Sequence, residues 1–166
     1  MPFSYHIIQI MNIDKADITI INELQKNARI GIENLAELTS LSTASVQRRL
    51  KNLRKNGIIL REVALVDPVK VGQLMSFVVL VELERESHNQ ISQFVKRILK
   101  EQQVQQCYYI TGDADFCLIC TSKDMDDFEE LTQRLFFTDT NVRRFRTSVV
   151  MGRNKVSMEL HVKESQ

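Results

Sequence analysis

The sequence predicts an α+β protein: an N-terminal three-helix helix-turn-helix head, then a C-terminal ferredoxin-like βαββαβ domain. Up to Gly57, apolar residues recur at helical spacing in three short segments. Beyond residue 70, segments typical of strands and helices alternate in the order β-α-β-β-α-β. We therefore expect an N-terminal extension at 1–12, the head at 13–57, a hinge strand at 58–70 and the second domain at 71–166.

The composition is that of a soluble globular protein. The chain has 166 residues, of which 43% are hydrophobic and 26% are charged. No apolar run approaches the roughly 18 residues that a membrane span needs, and the first twelve residues lack the pattern of a secretion signal. We expect a cytoplasmic protein. Although the net charge is only +1, five basic residues and no acidic one lie between Arg48 and Lys55, which favours nucleic acid as a partner.

The head shows the helix-turn-helix plan. A first helix is predicted over residues 14–27 and a short second helix over about 32–38. A four-residue turn ends at Ser42, a good N-cap for a third helix that stops at Asn56-Gly57. A short helix, a turn and a capped helix are the elements that place one helix in the DNA major groove.

The third helix carries the candidate DNA-binding residues. Val46, Leu50 and Leu53 bury one side at i, i+4, i+7 spacing, which leaves a polar and basic face outward. Glutamine pairs with adenine and arginine with guanine, whereas serine, threonine and lysine suit phosphates. The alternative, a solvated cationic helix face, is less favoured because the short helix and turn precede it. The candidates are Ser42, Thr43, Ser45, Gln47, Arg48, Arg49, Lys51 and Lys55, with Arg49 near the edge of the face.

The second domain is predicted to bury both faces of its sheet. Strands are expected at 75–83, 104–111, 116–122, 142–151 and 156–162, and helices at 89–102 and 124–137. Apolar residues occur at both odd and even positions of the strands, so they lie on both faces of the sheet, while the helices cover only one face. A second copy of the chain is the simplest cover for the other face, so we expect a homodimer.

The cysteines are interpreted as small hydrophobic residues. The chain has an odd number of cysteines, which suits reduced thiols; they are Cys107, Cys117 and Cys120. Cys117 and Cys120 fall three apart in an apolar strand, so they point to opposite faces and do not form a metal pair. With three histidines in the whole chain, a zinc set lacks ligands. We expect no metal, no cofactor and no catalytic residues.

Two polar clusters of the second domain each allow two interpretations. Residues 112–115, Gly-Asp-Ala-Asp, suit a hairpin turn, which the residues alone favour. They also suit an amino acid, whose ammonium pairs with Asp113 and Asp115 while backbone N–H groups near Gly112 hold its carboxylate. Residues 143–146, Arg-Arg-Phe-Arg, suit an anion site or an exposed edge strand, and the edge strand is favoured.

Together these residues resemble the Lrp/AsnC family of feast/famine transcription regulators over about 13–162. The resemblance is carried by the order and spacing of several pieces rather than by one motif. The pieces are Ile13-Asp14-x-x-Asp17, Leu24-Gln25-x-Asn27-x-Arg29, Leu41-Ser42-x-x-x-Val46-x-x-Arg49, Gly57-Ile58-Ile59, Ala64-x-x-Asp67-Pro68, Cys107-Tyr108-x-Ile110-Thr111-Gly112-Asp113-x-Asp115-Phe116 and Arg146-Thr147-x-Val149-Val150-Met151.

The resemblance implies a helix-turn-helix head extended by a wing or linker, and an effector domain that pairs through its sheet into dimers and often octamers. It implies an amino-acid effector near the 111–115 turn, with Thr111, Gly112, Asp113 and Asp115 as contacts and Thr147 on the neighbouring strand as a further candidate. Three segments depart from the family pattern. Ser40 stands where glycine is usual, Arg61-Glu62 replaces Gly-Tyr in the hinge, and residues 138–141 replace a Pro-Gly.

The function predicted is that of a sequence-specific transcriptional regulator that binds double-stranded DNA, is associated with the nucleoid and responds to an amino acid. One alternative is an amino-acid-binding module whose head has lost DNA binding, against which the Gln47-Arg48-Arg49 face argues. The other is an enzyme subunit similar to siroheme decarboxylase. That activity calls for histidines lining a large cavity, and the second domain has only His88 and His161.

Overall fold

The computed structural model describes residues 13–163, so the predicted extension at 1–12 lies outside the described residues. Within that range the chain divides into two compact units, one made of 13–65 with 155–163 and the other of Val66–Asn154. The boundary predicted from sequence assigns 155–163 to the second domain. These residues instead lie against the first helix of the head, because side chains of that helix bind their backbone.

The first unit contains the three predicted helices. They are α1 (Lys15–Lys26), α2 (Ile32–Thr39) and α3 (Thr43–Lys55). Their apolar faces meet in one core, in which Ile20, Leu35 and Val46 are fully buried. The helical spacing read from the sequence therefore does place one side of each helix inward.

Polar caps fix where these helices begin and end. The Asp14 carboxylate accepts from the Asp17 N–H at 2.9 Å, and the Asp17 carboxylate in turn accepts from the Asp14 N–H at 3.4 Å, a capping box at the start of α1. The predicted cap on α3 is confirmed, since Ser42 Oγ accepts from the Ser45 N–H at 3.2 Å. Gly57, at φ 71°, follows the end of α3 in the left-handed conformation that glycine adopts without strain.

The second unit has the predicted βαββαβ order. Its elements are β1 (Met75–Leu83), α4 (His88–Ile98), β2 (Val104–Tyr109), β3 (Phe116–Ser122), α5 (Met125–Thr132) and β4 (Val142–Val149). The strands form one antiparallel sheet in the order β2-β3-β1-β4. β4 is thus an edge strand, as its run of arginines predicts.

One face of this sheet carries the core of the unit. Phe77, Val79, Val81 and Leu83 alternate along β1 and are buried against α4 and α5. Phe77 stacks on Phe128 of α5, with ring centroids 3.7 Å apart. The intervening residues of β1 face the other side of the sheet, where the described residues provide no covering element.

Two predicted strands are wrong. Residues 58–66 of the hinge and residues 156–162 have no strand pairing in the described chain. Apolar alternation signals an extended backbone, but a strand also needs a neighbour for its N–H and C=O groups. The hinge has no such neighbour among residues 13–163, and Leu60 and Leu65 are exposed. Residues 156–162 lie beside a helix instead.

The helices of the second unit are shorter than predicted. α4 stops at Ile98, and Leu99, which the pattern places inward, is 79% exposed. α5 stops at Thr132 and continues as a π-helical turn over Gln133–Phe137, which still buries Leu135. None of the helices in residues 13–163 has the length and apolar character needed to cross a membrane.

Candidate functional site

The outward face of α3 carries five of the predicted DNA-binding side chains. Each is exposed, and none makes a side-chain hydrogen bond or ion pair that the structure records for residues 13–163. They are Thr43, Gln47, Arg48, Lys51 and Lys55. A helix turns by about 100° per residue, so Arg48, Lys51 and Lys55 lie opposite the core, Gln47 lies beside them, and Thr43 lies nearer the core side in the first turn. This face offers an amide, hydroxyl and cationic groups that are free to contact a nucleic acid.

Two further predicted residues hold the start of α3. Ser42 Oγ accepts the Ser45 N–H and also lies 3.0 Å from Ser45 Oγ. The Ser42 hydroxyl thus provides an acceptor for the Ser45 N–H of the first turn. The remaining N–H groups of that turn point outward beyond the N-terminus of the helix. The N-terminus of a helix carries a partial positive charge that favours phosphate oxygens. Ser42 and Ser45 therefore position this end of α3.

Arg49 differs from its neighbours because it faces α1. Its Nη1 lies 2.8 Å from Asp14 Oδ2 and 2.9 Å from Asp17 Oδ1, the two carboxylates of the α1 capping box. The hydrogen bond to Asp17 and the further contact with Asp14 raise the pKa of Arg49 above its ordinary value. Arg49 thereby ties α3 to the start of α1, a role that the position alone did not reveal because its partners lie 32 and 35 residues earlier.

The turn between α2 and α3 has a left-handed residue at Ser40, the position where the sequence resemblance has glycine. Ser40 has φ 55° and ψ 35°, the left-handed conformation that an L-residue adopts at a cost of about 1–2 kcal/mol. The Leu41 N–H donates to the Ala36 carbonyl at 3.0 Å, which closes the end of α2. Ser40 thus holds a conformation that glycine adopts without strain, and it adds local strain to the turn.

In the candidate effector turn, the two aspartates have different surroundings. Asp115 is fixed within the sheet, since its Oδ2 accepts from the Leu83 N–H at 2.6 Å and its own N–H donates to the Val81 carbonyl at 2.9 Å. Asp113 is exposed, and its carboxylate makes no hydrogen bond recorded for residues 13–163. Gly112, at φ 123°, holds a backbone conformation that other residues rarely adopt. Asp113 is thus the carboxylate available to a ligand.

One residue of β4, Arg146, contacts this turn. Arg146 Nη2 donates to the Asp113 carbonyl at 3.2 Å. Arg146 also lies 3.6 Å from Glu82, which pairs with Arg144 at 2.6 Å. The hydrogen bond from Arg144, with help from Arg146, lowers the pKa of the Glu82 carboxyl.

No pattern in the sequence indicates that Arg146 contacts this turn. Arg146 was one of several arginines on an expected edge strand. Thr147 is exposed and lies opposite Val79 on β1, two residues further along than the pair Val81 and Phe145. Only the register of β4 against β1 identifies which arginine reaches the turn.

The cysteines are on the faces that the strand period predicts. Cys120 pairs with Phe77 on the core face, whereas Cys117 pairs with Leu80 on the open face. Burial raises the pKa of Cys120 to about 12 and that of Cys107 to about 11. Thiols with such pKa values carry little thiolate at neutral pH, so their contribution is packing.

A DNA-binding head joined to a separate α+β domain with a ligand-accessible turn defines a ligand-responsive helix-turn-helix transcription regulator. Family comparison agrees with that class: residues 13–54 match the AsnC-type helix-turn-helix domain and residues 76–160 match the Lrp/AsnC ligand binding domain. The chain belongs to the Lrp/AsnC family, as the sequence resemblance predicts. It is a DNA-binding transcriptional regulator with a small-molecule-binding domain.

Relatives and solved structures extend over most of the chain. An HTH-type transcriptional regulator of Sinorhizobium fredii is 41% identical over 92% of this chain and 90% of its own. The leucine-responsive regulatory protein of Escherichia coli is 30% identical over 92% and 93%. A transcriptional regulator of Neisseria meningitidis in complex with L-Met superposes with a TM-score of 0.82 and 28% identity, covering 89% of this chain and 96% of that one.

Proposed function

We propose that this regulator works as a homodimer, or as an octamer built from dimers, that binds a two-fold-related DNA site and responds to an amino acid. The observation that carries the proposal is the outward face of α3. Its five exposed side chains have no partners recorded within residues 13–163, while the residues around them are committed to structure. The regulator acts by binding, as a cytoplasmic protein associated with the nucleoid, and needs no cofactor.

The proposed roles on α3 follow from side-chain chemistry. Gln47 and Arg48 contact base edges in the major groove, because an amide pairs with adenine and a guanidinium with guanine. Thr43, Lys51 and Lys55 contact phosphates, and their release of counterions makes affinity fall steeply with salt. Ser42, Ser45 and Arg49 act indirectly, by holding α3 in place.

The open face of the sheet supports the dimer. Its central rows carry apolar side chains that no element in residues 13–163 covers, namely Val78 and Leu80 on β1 and Cys117 and Ile119 on β3. These side chains are half-buried, and a contiguous apolar face left uncovered in this way is unusual on a monomer. A second copy, related by a two-fold axis, buries this face and brings two heads to one DNA site.

The turn at 111–115 supports the amino-acid effector. The free carboxylate of Asp113 suits an ammonium group, and the backbone N–H groups near Thr111 and Gly112 suit a carboxylate. We assign Asp115 to shaping this turn, through its bond to the Leu83 N–H. Thr147 is retained as a weaker contact, because β4 reaches the turn through the neighbouring Arg146. The L-Met bound by the Neisseria relative adds support for an amino acid.

DNA binding is tested by fluorescence anisotropy on a duplex from the region upstream of the gene that encodes this chain. The double variant Gln47→Ala/Arg48→Ala is expected to bind at least tenfold more weakly, since a good base contact contributes about 1–3 kcal/mol. A matched control is Gln93→Ala/Lys96→Ala on the exposed side of α4, which likewise removes one amide and one positive charge and should bind normally.

The same titration repeated with a pool of amino acids tests the effector. The proposal predicts a shifted midpoint for the unmodified chain and no shift for Asp113→Ala. If the unmodified chain fails to bind this and broader genomic DNA at low salt, DNA binding through α3 is refuted. If DNA binding is normal but no amino acid moves the midpoint, the effector proposal alone is refuted.

A further inference from the structure

The C-terminal segment 155–163, here called the tail, is bound along α1 by its backbone. Gln25 Nε2 donates to the Leu160 carbonyl at 2.8 Å, and the Leu160 N–H donates to Gln25 Oε1 at 2.7 Å. Asn22 Nδ2 donates to the Val162 carbonyl at 3.1 Å. The Gln25 amide thus offers the tail the paired donor and acceptor that a neighbouring strand would offer.

Side-chain packing adds only one anchor. Leu160 is 71% exposed and Met158 is 70% exposed, so neither is held by burial. Val162 is half-buried and packs against the core of the three-helix head. Between the tail and α1 a groove of about 390 Å³ remains, lined in part by Lys26 and His161. The recorded contacts that seat the tail on the head thus include three hydrogen bonds and the packing of Val162.

This seat is connected to both functional regions of the chain. The start of α1 is tied to α3 by Arg49, and the core that receives Val162 also contains Val46 and Leu50 of α3. In the other direction the tail follows β4 in the sequence after residues 150–154, and Arg146 of β4 contacts the effector turn. The tail therefore connects β4 to α1 by a stretch of chain other than the hinge.

We propose that the tail is a releasable strap, with Gln25 and Asn22 as the residues that position it, and that its seating on α1 sets how well the head binds DNA. The regulatory part rests on the proposed DNA-binding function, whereas the strap itself does not. Each net hydrogen bond contributes a factor of roughly 2–10 to an equilibrium. Three such bonds give a seat that is favoured yet reversible, as a switch requires.

The strap is tested on the full chain by hydrogen–deuterium exchange of the Leu160 amide. In Gln25→Met, which keeps the side-chain length but removes both hydrogen bonds, this amide should exchange about tenfold faster. Gln93→Met, the same change at an exposed position of α4, should leave the rate unaltered. Leu160→Ala is a second control, because it keeps the backbone groups that Gln25 binds.

Anisotropy with the upstream duplex then tests the regulatory part. Gln25→Met and a chain ending at Asn154 are both expected to change the DNA midpoint at least threefold, in the same direction, while Gln93→Met does not. A Leu160 amide that exchanges at the unprotected rate in the unmodified chain overturns the strap. A protected amide with unchanged midpoints overturns its effect on DNA binding. Failure of the unmodified chain to bind DNA counts against the proposed function and leaves the exchange result standing.

Discussion

Replacing Asp115 by alanine should destabilise the second unit far more than replacing Asp113, although the two residues share one turn. The Asp115 carboxylate accepts the N–H of Leu83, a residue only 6% exposed, at 2.6 Å. Asp115→Ala leaves that buried N–H without its acceptor, which costs about 1.5–3 kcal/mol for a hydrogen bond to a charged group. Asp113→Ala keeps the carbonyl that Arg146 binds and removes only an exposed carboxylate, so the expected change is within about 0.5 kcal/mol.

Urea unfolding followed by tyrosine fluorescence measures this difference. The chain has no tryptophan, and two of its three tyrosines, Tyr108 and Tyr109, lie on β2 of the second unit. We expect a lower midpoint with an unchanged slope for Asp115→Ala and a midpoint near that of the unmodified chain for Asp113→Ala. Equal midpoints for the two variants would refute the structural role of Asp115.

Three further predictions concern the head. Ser40→Gly should stabilise the head by about 0.5–1 kcal/mol, because the relief of left-handed strain exceeds the entropy that glycine adds to the unfolded chain. Amide hydrogen exchange in α2 and α3 should then be slower, and faster exchange would contradict the prediction. Arg49→Met should destabilise the head by about 1–2 kcal/mol by leaving Asp17 unpaired, whereas Arg48→Met should weaken DNA binding at normal stability. Circular dichroism measures the stability of each variant and anisotropy measures its DNA binding. Normal stability in Arg49→Met together with a destabilised Arg48→Met would contradict these two roles. The hydrogen bond from the Asp17 N–H, with help from Arg49, holds the pKa of Asp14 below its ordinary 3.8. The stability that the Asp14 carboxylate contributes is therefore present above about pH 4 and is lost as the pH falls through the lower pKa of the folded state. In Asp14→Asn, the free energy of unfolding of the head should consequently depend less on pH in this range.

The elements that the sequence predicted well are those set by local chemistry. Ser42 marks the start of α3 because a hydroxyl at that position satisfies the first turn, whatever the rest of the chain does. The alternation along β1 likewise depends only on which residues avoid water, and it placed Phe77 and Val79 correctly. The outward position of Gln47 and Arg48 follows from the same helical period.

The elements that sequence analysis missed depend on distant partners. The final segment has the composition of a strand, yet its partner is the side chain of Gln25, 135 residues earlier. The hydrogen bond that Asp115 accepts from Leu83 joins residues 32 apart, which no local pattern reveals. The ion pair of Arg49 with Asp17 likewise joins two helices that are separated in the sequence. In each case the chemistry of the residue was clear and its neighbour was not.

Selection of binding sites from a random duplex library, with the unmodified chain and with Gln47→Ala, shows whether α3 reads DNA sequence. We expect enriched sites with two inverted halves whose centres lie about one helical turn, or a multiple of it, apart. We also expect Gln47→Ala to change the preferred base at one symmetric pair of positions while the spacing stays the same. An absence of any enriched sequence, or an identical preference in the variant, would contradict the claim that α3 reads DNA through this face.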